Sequence, residues 1–79
     1  MSRATATLFT LAADALRFDD REAAAKHLRE AADDLATTSP QLSEDTQTIV
    51  DALPRMLPED IRRAASDCRA TANDLAEQS

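Results

Sequence analysis

The stretch PEDIRRAASDCRATANDL, residues 58–75, carries the most regular apolar pattern in the sequence. Its apolar residues recur at alternating spacings of four and three, the repeat of a helix that packs along a second helix. We call this set of residues the seam: Ile61, Ala65, Cys68, Ala72 and Leu75. A proline at the first helical position, followed by acidic residues near the positive end of the helix dipole, predicts a helix over residues 58–76.

The first helix is predicted over residues 2–18. Its apolar residues follow the spacing of one helix face. They are Leu8, Leu11, Ala12, Ala15 and Phe18. Because Phe9 and Leu16 widen this stripe, we expect the helix to be largely enclosed by its neighbours.

A second helix is predicted over residues 20–36. Asp19, with Glu22 three residues later, resembles the capping box that satisfies free backbone N–H groups at a helix start. The apolar stripe that follows has helical spacing. It consists of Ala24, Leu28, Ala31 and Leu35.

A third helix is predicted over residues 40–53. Ser39 followed by Pro40 is typical of an N-cap and a first helical position, although a later start at Ser43 is an alternative. Pro54 ends the helix because proline lacks a backbone N–H. The apolar stripe consists of Leu42, Thr46, Ile49, Val50 and Leu53.

The composition agrees with this all-helical interpretation. The chain has 79 residues, of which 17 are alanine and none is glycine. Alanine is the best helix former, whereas tight β-hairpins normally need glycine. Short connections favour antiparallel neighbours, so we predict a single all-α domain over residues 1–79: an antiparallel four-helix bundle built from two helical hairpins. A three-helix variant, with residues 40–53 partly irregular, is the alternative.

The predicted core is poor in large side chains. The sequence has only two aromatic residues, both phenylalanine, and alanine fills many inward positions. A chain of this size buries only about 60% of the surface that its unfolded form exposes, less than larger domains do, and small domains often gain stability by oligomerising. We therefore expect a homodimer, or a chain that folds fully only with a partner.

The chain is acidic, with a formal net charge of −6. Residues 19–53 hold three basic and nine acidic residues and therefore carry all of this excess. Nucleic-acid phosphates and anionic membrane surfaces repel such a chain, so we predict neither as a partner. Two helices near Arg55, Arg62 and Arg63 suggest a DNA-binding motif, but neighbouring acids favour ion pairs instead.

Two residue ratios point to the genome or to the salt environment. Aspartate outnumbers glutamate ten to five, and arginine outnumbers lysine eight to one. Either a GC-rich genome or adaptation to high salt would produce this bias. Salt adaptation predicts a melting temperature that climbs steeply with molar KCl, because salt screens the repulsion between carboxylates.

No residue pattern indicates catalysis, a metal or a cofactor. His27 is the only histidine, and bundle metal sites need more than one histidine together with carboxylates from several helices. Cys68 is the only cysteine, which rules out an internal disulfide and favours a cytoplasmic protein. Paired acids such as Asp33-Asp34 are interpreted as solvated faces or helix caps. We therefore predict a non-enzymatic protein with no targeting or membrane segment at the start of the sequence.

Two functions follow from these patterns. The first is a small acidic protein–protein interaction or regulatory module that self-associates or binds another protein through the seam. The alternative is an acidic inhibitor, of the antitoxin, anti-defence or DNA-mimic type, that occupies a basic groove on its target. Its acidic surface would consist of Asp33, Asp34, Glu44 and Asp45.

Overall fold

The computed structural model describes residues 3–78, which form four α-helices and no strand. The helices are α1 (Arg3–Arg17), α2 (Arg21–Leu35), α3 (Pro40–Ala52) and α4 (Pro58–Gln78), with a 3-10 turn at Leu53–Arg55. The predicted all-α fold with four helices is confirmed, and the three-helix variant is not adopted. The predicted start of the first helix at residue 2 lies outside the described residues.

The helices lie in the spatial order α4, α1, α2, α3. α1 packs against both α2 and α4, and α3 packs against α2. The neighbours run antiparallel, since Thr5 at the start of α1 bonds Asp34 at the end of α2. In the same way, the end of α1 lies beside the start of α4 around Arg17 and Arg62.

The pairing of the last two helices differs from the predicted second hairpin. The most extensive contact of α4 is with α1, and an open groove lined by Ile49, Met56 and Arg63 separates it from α3. Pro54 and Pro58 bound the connection between α3 and α4, which is a 3-10 turn followed by extended backbone at Met56. This connection lets α4 reach α1, whose alanine-rich face permits close helix approach.

α1 buries a different face from the predicted one. The residues that it buries are Thr5, Ala6, Phe9, Ala12, Ala13 and Leu16. Of the predicted stripe only Ala12 is buried, while Leu11 is 42% exposed and Phe18 is 81% exposed. The prediction was wrong because α1 has two apolar stripes, and α2 and α4 both pack on the one that contains Phe9 and Leu16.

The turn between α1 and α2 corrects the predicted role of Asp19. Its φ of 55° places it in the left-handed region, where glycine would normally end a helix. Two backbone bonds close the turn, from the Asp19 N–H to the Leu16 carbonyl and from the Asp20 N–H to the Ala15 carbonyl. Asp20 rather than Asp19 is the N-cap of α2, and its carboxylate accepts from the Ala23 N–H at 3.1 Å.

Polar side chains fasten α3 to α2. α3 begins at Pro40 as predicted, and the Ser43 hydroxyl donates to the Ala32 carbonyl at 2.7 Å. At the other end, the Arg21 guanidinium donates from Nη1 to the Leu53 carbonyl at 2.7 Å. Thr46 is buried in the interface, and its hydroxyl donates to the Leu42 carbonyl. The bonds of Ser43 and Arg21 therefore hold the two ends of α3 against the two ends of α2.

Candidate interaction surface

The seam lies inside the chain. Its five residues belong to the single hydrophobic core, and none is more than 9% exposed. The helix that packs on the seam is α1 of the same chain. Ala6, Phe9 and Ala13 of α1 belong to the same hydrophobic core as the seam. The prediction that the seam is open to another protein is therefore corrected.

The exposed apolar surface is on the opposite side of α1. We call the residues of this surface the outer stripe: Leu8, Leu11, Ala15 and Phe18. Leu8, Leu11 and Ala15 share one face of α1, because spacings of three and four return to one face of a helix, and Phe18 lies in the turn just after α1 ends. Leu8 and Ala15 are half-buried, while Leu11 and Phe18 are two of the three large hydrophobic residues exposed within the described chain. The third is Leu57, in the connection before α4.

Acidic side chains flank the start of the outer stripe. Ala4 and Leu8 line a shallow groove with three carboxylate residues of α2: Glu30, Asp33 and Asp34. The Thr5 hydroxyl donates to Asp34 at 3.3 Å, which holds this end of α2 against the start of α1. Three carboxylate groups of α2 therefore lie beside the N-terminal end of the stripe.

Basic side chains line a cleft between α1 and α4, apart from the outer stripe. This cleft has Leu16 and Ile61 as apolar lining and Arg17 and Arg62 as charged lining. Asp19 also lines this cleft, but its carboxylate accepts from Arg21 Nε at 2.9 Å. Neither Arg17 nor Arg62 takes part in an ion pair within residues 3–78. None of the residues that line this cleft belongs to the outer stripe.

The predicted acidic surface divides into two groups. All four of its residues are exposed, but Asp33 and Asp34 lie beside α1 while Glu44 and Asp45 lie on α3. The two groups therefore belong to different helices, and the Ser43 hydroxyl, next to Glu44, donates to the carbonyl of Ala32, next to Asp33. The Gln41 amide donates to Asp45, at 3.1 Å.

The structure gives Cys68 and His27 structural positions. Cys68 is 2% exposed, and burial, with a smaller contribution from Asp67, raises the pKa of its thiol to about 11. The thiol is therefore protonated at neutral pH and a poor nucleophile. His27 is half-buried, and its Nδ1 atom is buried without a hydrogen-bond partner.

Two features are absent from the described residues. In residues 3–78, no three histidine, cysteine, aspartate or glutamate side chains converge as metal ligands would. None of the helices in that range has both the length and the apolar character that a membrane crossing requires.

Comparison with known proteins finds no matching family model, no similar curated protein and no similar solved structure. The candidate surface therefore depends on the geometry of this chain alone. Sequence reasoning assigned the outer stripe to the core and missed it as a surface. The signal that identifies it is the second stripe on the same helix, Thr5, Phe9, Ala12 and Leu16, which has the same spacing and competes for the interior.

Proposed function

We propose that this chain is a small non-catalytic interaction module that self-associates as a homodimer through the outer stripe of α1. The observation that carries the proposal is the exposure of Leu11 on α1 and of Phe18 just after it, while the other face of α1 is already packed. Contiguous apolar surface of this kind marks interaction sites on soluble proteins. A second copy would cover the stripe without any additional component.

The energetics of the chain favour such an association. Burying a fully exposed leucine or phenylalanine side chain contributes about 1.5–3 kcal/mol; Phe18 would gain most of this in each copy, and Leu11, already more than half-buried, would gain less. Seventeen alanines leave little apolar area per residue in the monomer core, so self-association adds stability where the monomer has little. We expect a dimer in the micromolar range.

Sedimentation velocity of the wild-type chain and of Leu11→Asp tests this proposal. The wild-type chain is expected to shift toward the dimer mass between about 1 and 100 μM, the range of a micromolar dissociation constant. Leu11→Asp is expected to remain monomeric because it places a charge in the middle of the stripe. Leu57→Asp is the matched control: it changes an exposed leucine outside the stripe, and association is expected to persist.

Two results would contradict the proposal. One is a wild-type chain that stays monomeric throughout the concentration range. The other is a loss of association in Leu57→Asp equal to that in Leu11→Asp, which would place the contact at the end of the bundle. Circular dichroism of each variant, compared with the wild type, checks that the helices are retained.

The acidic inhibitor is a second candidate. It is favoured by the exposure of Asp33, Asp34, Glu44 and Asp45, none of which forms an ion pair within residues 3–78. A basic groove on a target would attract such carboxylates at long range. Reversing all four charges with lysine should abolish capture of the target, and capture that persists would exclude this function.

We further propose that the module acts in the cytoplasm and binds protein rather than nucleic acid or membrane. The net charge of −6 opposes both phosphate-rich partners, and the single cysteine suits a reducing compartment. Filter binding with duplex DNA at low salt tests the exclusion of nucleic acid, since retention of the DNA by the protein would contradict it.

A further inference from the structure

We infer that α3 opens as a unit of its own, so that a minor population of the folded chain keeps α4, α1 and α2 packed while residues 40–53 are released. This inference does not depend on the proposed self-association, because the outer stripe belongs to α1 and its turn, whereas α3 packs on α2. Part of a protein opens in this way where an element has few buried apolar contacts and weak local structure. α3 has both properties.

α3 is held mainly by one neighbouring helix. It packs on α2, whereas α1 packs on both α2 and α4, and an open groove separates α3 from α4. The buried residues of α3 are Thr46 and Val50, and Leu53 is buried in the 3-10 turn that follows. The Thr46 hydroxyl donates within α3, to the Leu42 carbonyl, so it makes no bond to α2. Release of α3 therefore exposes Val50 and Leu53 but leaves the contact of α1 with the seam in place.

The sequence of α3 is also the poorest helix former of the four. α3 has a single alanine, whereas each of the other helices has five. Four of the five residues at positions 46–50 are β-branched, and such side chains lose rotational freedom in a helix. The N-cap Ser39 makes no side-chain cap bond, whereas Asp20 caps α2. Because isolated helices of about this length are marginal in water, α3 loses its helical structure when it leaves α2.

Two hydrogen bonds hold the closed position of α3. The Ser43 hydroxyl donates to the Ala32 carbonyl at 2.7 Å near the first turn of α3, and Arg21 Nη1 donates to the Leu53 carbonyl at 2.7 Å just after its last turn. When α3 opens, the partners of each bond separate and water replaces them. Opening also uncovers the side of α2 on which α3 packs. The closed and open chains therefore present different apolar surfaces to their surroundings.

Native-state hydrogen exchange tests this inference, measured by mass spectrometry below the concentration of self-association. In the wild type, the protection factors of the amides at positions 44–53 are expected to be about tenfold or more below those of α1, α2 and α4. The exchange of these amides should also depend less on urea, because opening of α3 exposes less surface than global unfolding does. Protection of positions 44–53 equal to that of the other helices would overturn the inference.

Ile61→Val separates the opening of α3 from global unfolding. Ile61 is buried, and it lines the cleft with Leu16 rather than the groove between α3 and α4. Its truncation therefore destabilises the closed and the open chain equally relative to the unfolded chain. The amides of α1, α2 and α4 should exchange about fivefold faster, while those at positions 44–53 keep their wild-type rates. An equal acceleration at positions 44–53 would mean that α3 opens only when the whole chain unfolds.

Ser43→Ala tests whether α3 opens as one unit. It removes the bond to the Ala32 carbonyl, so exchange should become about fivefold faster at all of positions 44–53, including the far end of the helix. Thr48→Ala is the matched control, because the Thr48 hydroxyl donates to the Glu44 carbonyl within α3, and exchange is not expected to accelerate. An acceleration confined to the first turn of α3 would mean that the helix only frays at its start, and would overturn the inference.

Discussion

The seam of α4 and the outer stripe of α1 have the same alternation of three- and four-residue spacings, yet the structure treats them in opposite ways. The seam is buried, with Leu75 at 3% exposure, whereas Phe18 in the outer stripe is 81% exposed. Spacing shows that a helix face is suited to packing, but it does not show which surface will cover it. That choice depends on the other apolar faces in the chain and on the connections that bring them together.

Truncation of one large side chain in each region should show the largest difference. Ile61→Ala is expected to lower the free energy of unfolding by about 3 kcal/mol, because it removes buried apolar atoms and leaves a cavity. Leu11→Ala should change it by about 0.5 kcal/mol or less, since much of that side chain is already in water. Urea unfolding below the concentration of self-association measures both. Equal losses would mean that the outer stripe is also inside.

The pKa of a cysteine thiol reports how far each region excludes water. The pKa of Cys68 is raised to about 11 in the folded state, against about 9 when unfolded. Because the folded state holds its proton more tightly, stability is fully present below pH 9 and is lost as pH rises toward 11, by about 2–3 kcal/mol.

Stability measured from pH 8 to pH 11 checks this expectation, and Cys68→Ala supplies the control. The loss should be smaller in Cys68→Ala, because the shifted thiol is absent. Adding Leu11→Cys to that variant moves a thiol to the outer stripe, where exposure should leave its pKa near the ordinary value. A pH dependence in the double variant equal to that of the wild type would contradict the difference between the two regions.

The bond from Arg21 to the Leu53 carbonyl fixes the far side of the bundle. Arg21→Ala is expected to lower the free energy of unfolding by about 1.5–2 kcal/mol, because it removes a charged donor from a partly buried carbonyl. Arg69→Ala removes an ion pair whose two side chains are half exposed, and it should cost about 0.5 kcal/mol or less. Thermal unfolding compares the two variants, and similar losses would show that the bond to the Leu53 carbonyl contributes no more stability than the exposed ion pair.

The turn at Asp19 orients α2 relative to α1 and so helps to select the stripe that is buried. Asp19→Gly is expected to raise the free energy of unfolding by about 0.5–1 kcal/mol, since glycine adopts a positive φ without steric cost. Asp20→Ala, one residue later, should lower it by about 1 kcal/mol by removing the cap on the Ala23 N–H. Chemical denaturation of both variants measures these shifts, and a loss of stability in Asp19→Gly would contradict the assigned conformation.

The helices themselves could be predicted because their limits depend on local chemistry. Pro40, Pro54 and Pro58 mark starts and stops that follow from the fixed ring and missing N–H of proline, and the structure begins α3 and α4 at the predicted residues. The seam was correctly recognised as a packing face for a helix. Its covering helix is in the same chain, and no local pattern identified it.

The structure differs from the prediction at positions where the local sequence allowed two equivalent arrangements. α1 has two apolar stripes with the same spacing, and the one with smaller side chains near its middle allows two neighbouring helices to approach closely. Asp19 and Asp20 are identical side chains at adjacent positions, so residue type could not separate the cap from the left-handed residue. The candidate surface follows from these choices and could not be located before them.

The central position of α1 has a consequence for biosynthesis. Translation delivers α1 before α4, so the face that α4 will cover stays open on the nascent chain while the forty residues between them are made. During that interval α1 exposes both of its apolar faces at the ribosome exit. A holdase chaperone that recognises apolar helices would therefore find two accessible apolar faces of α1 on the nascent chain and only one on the folded chain.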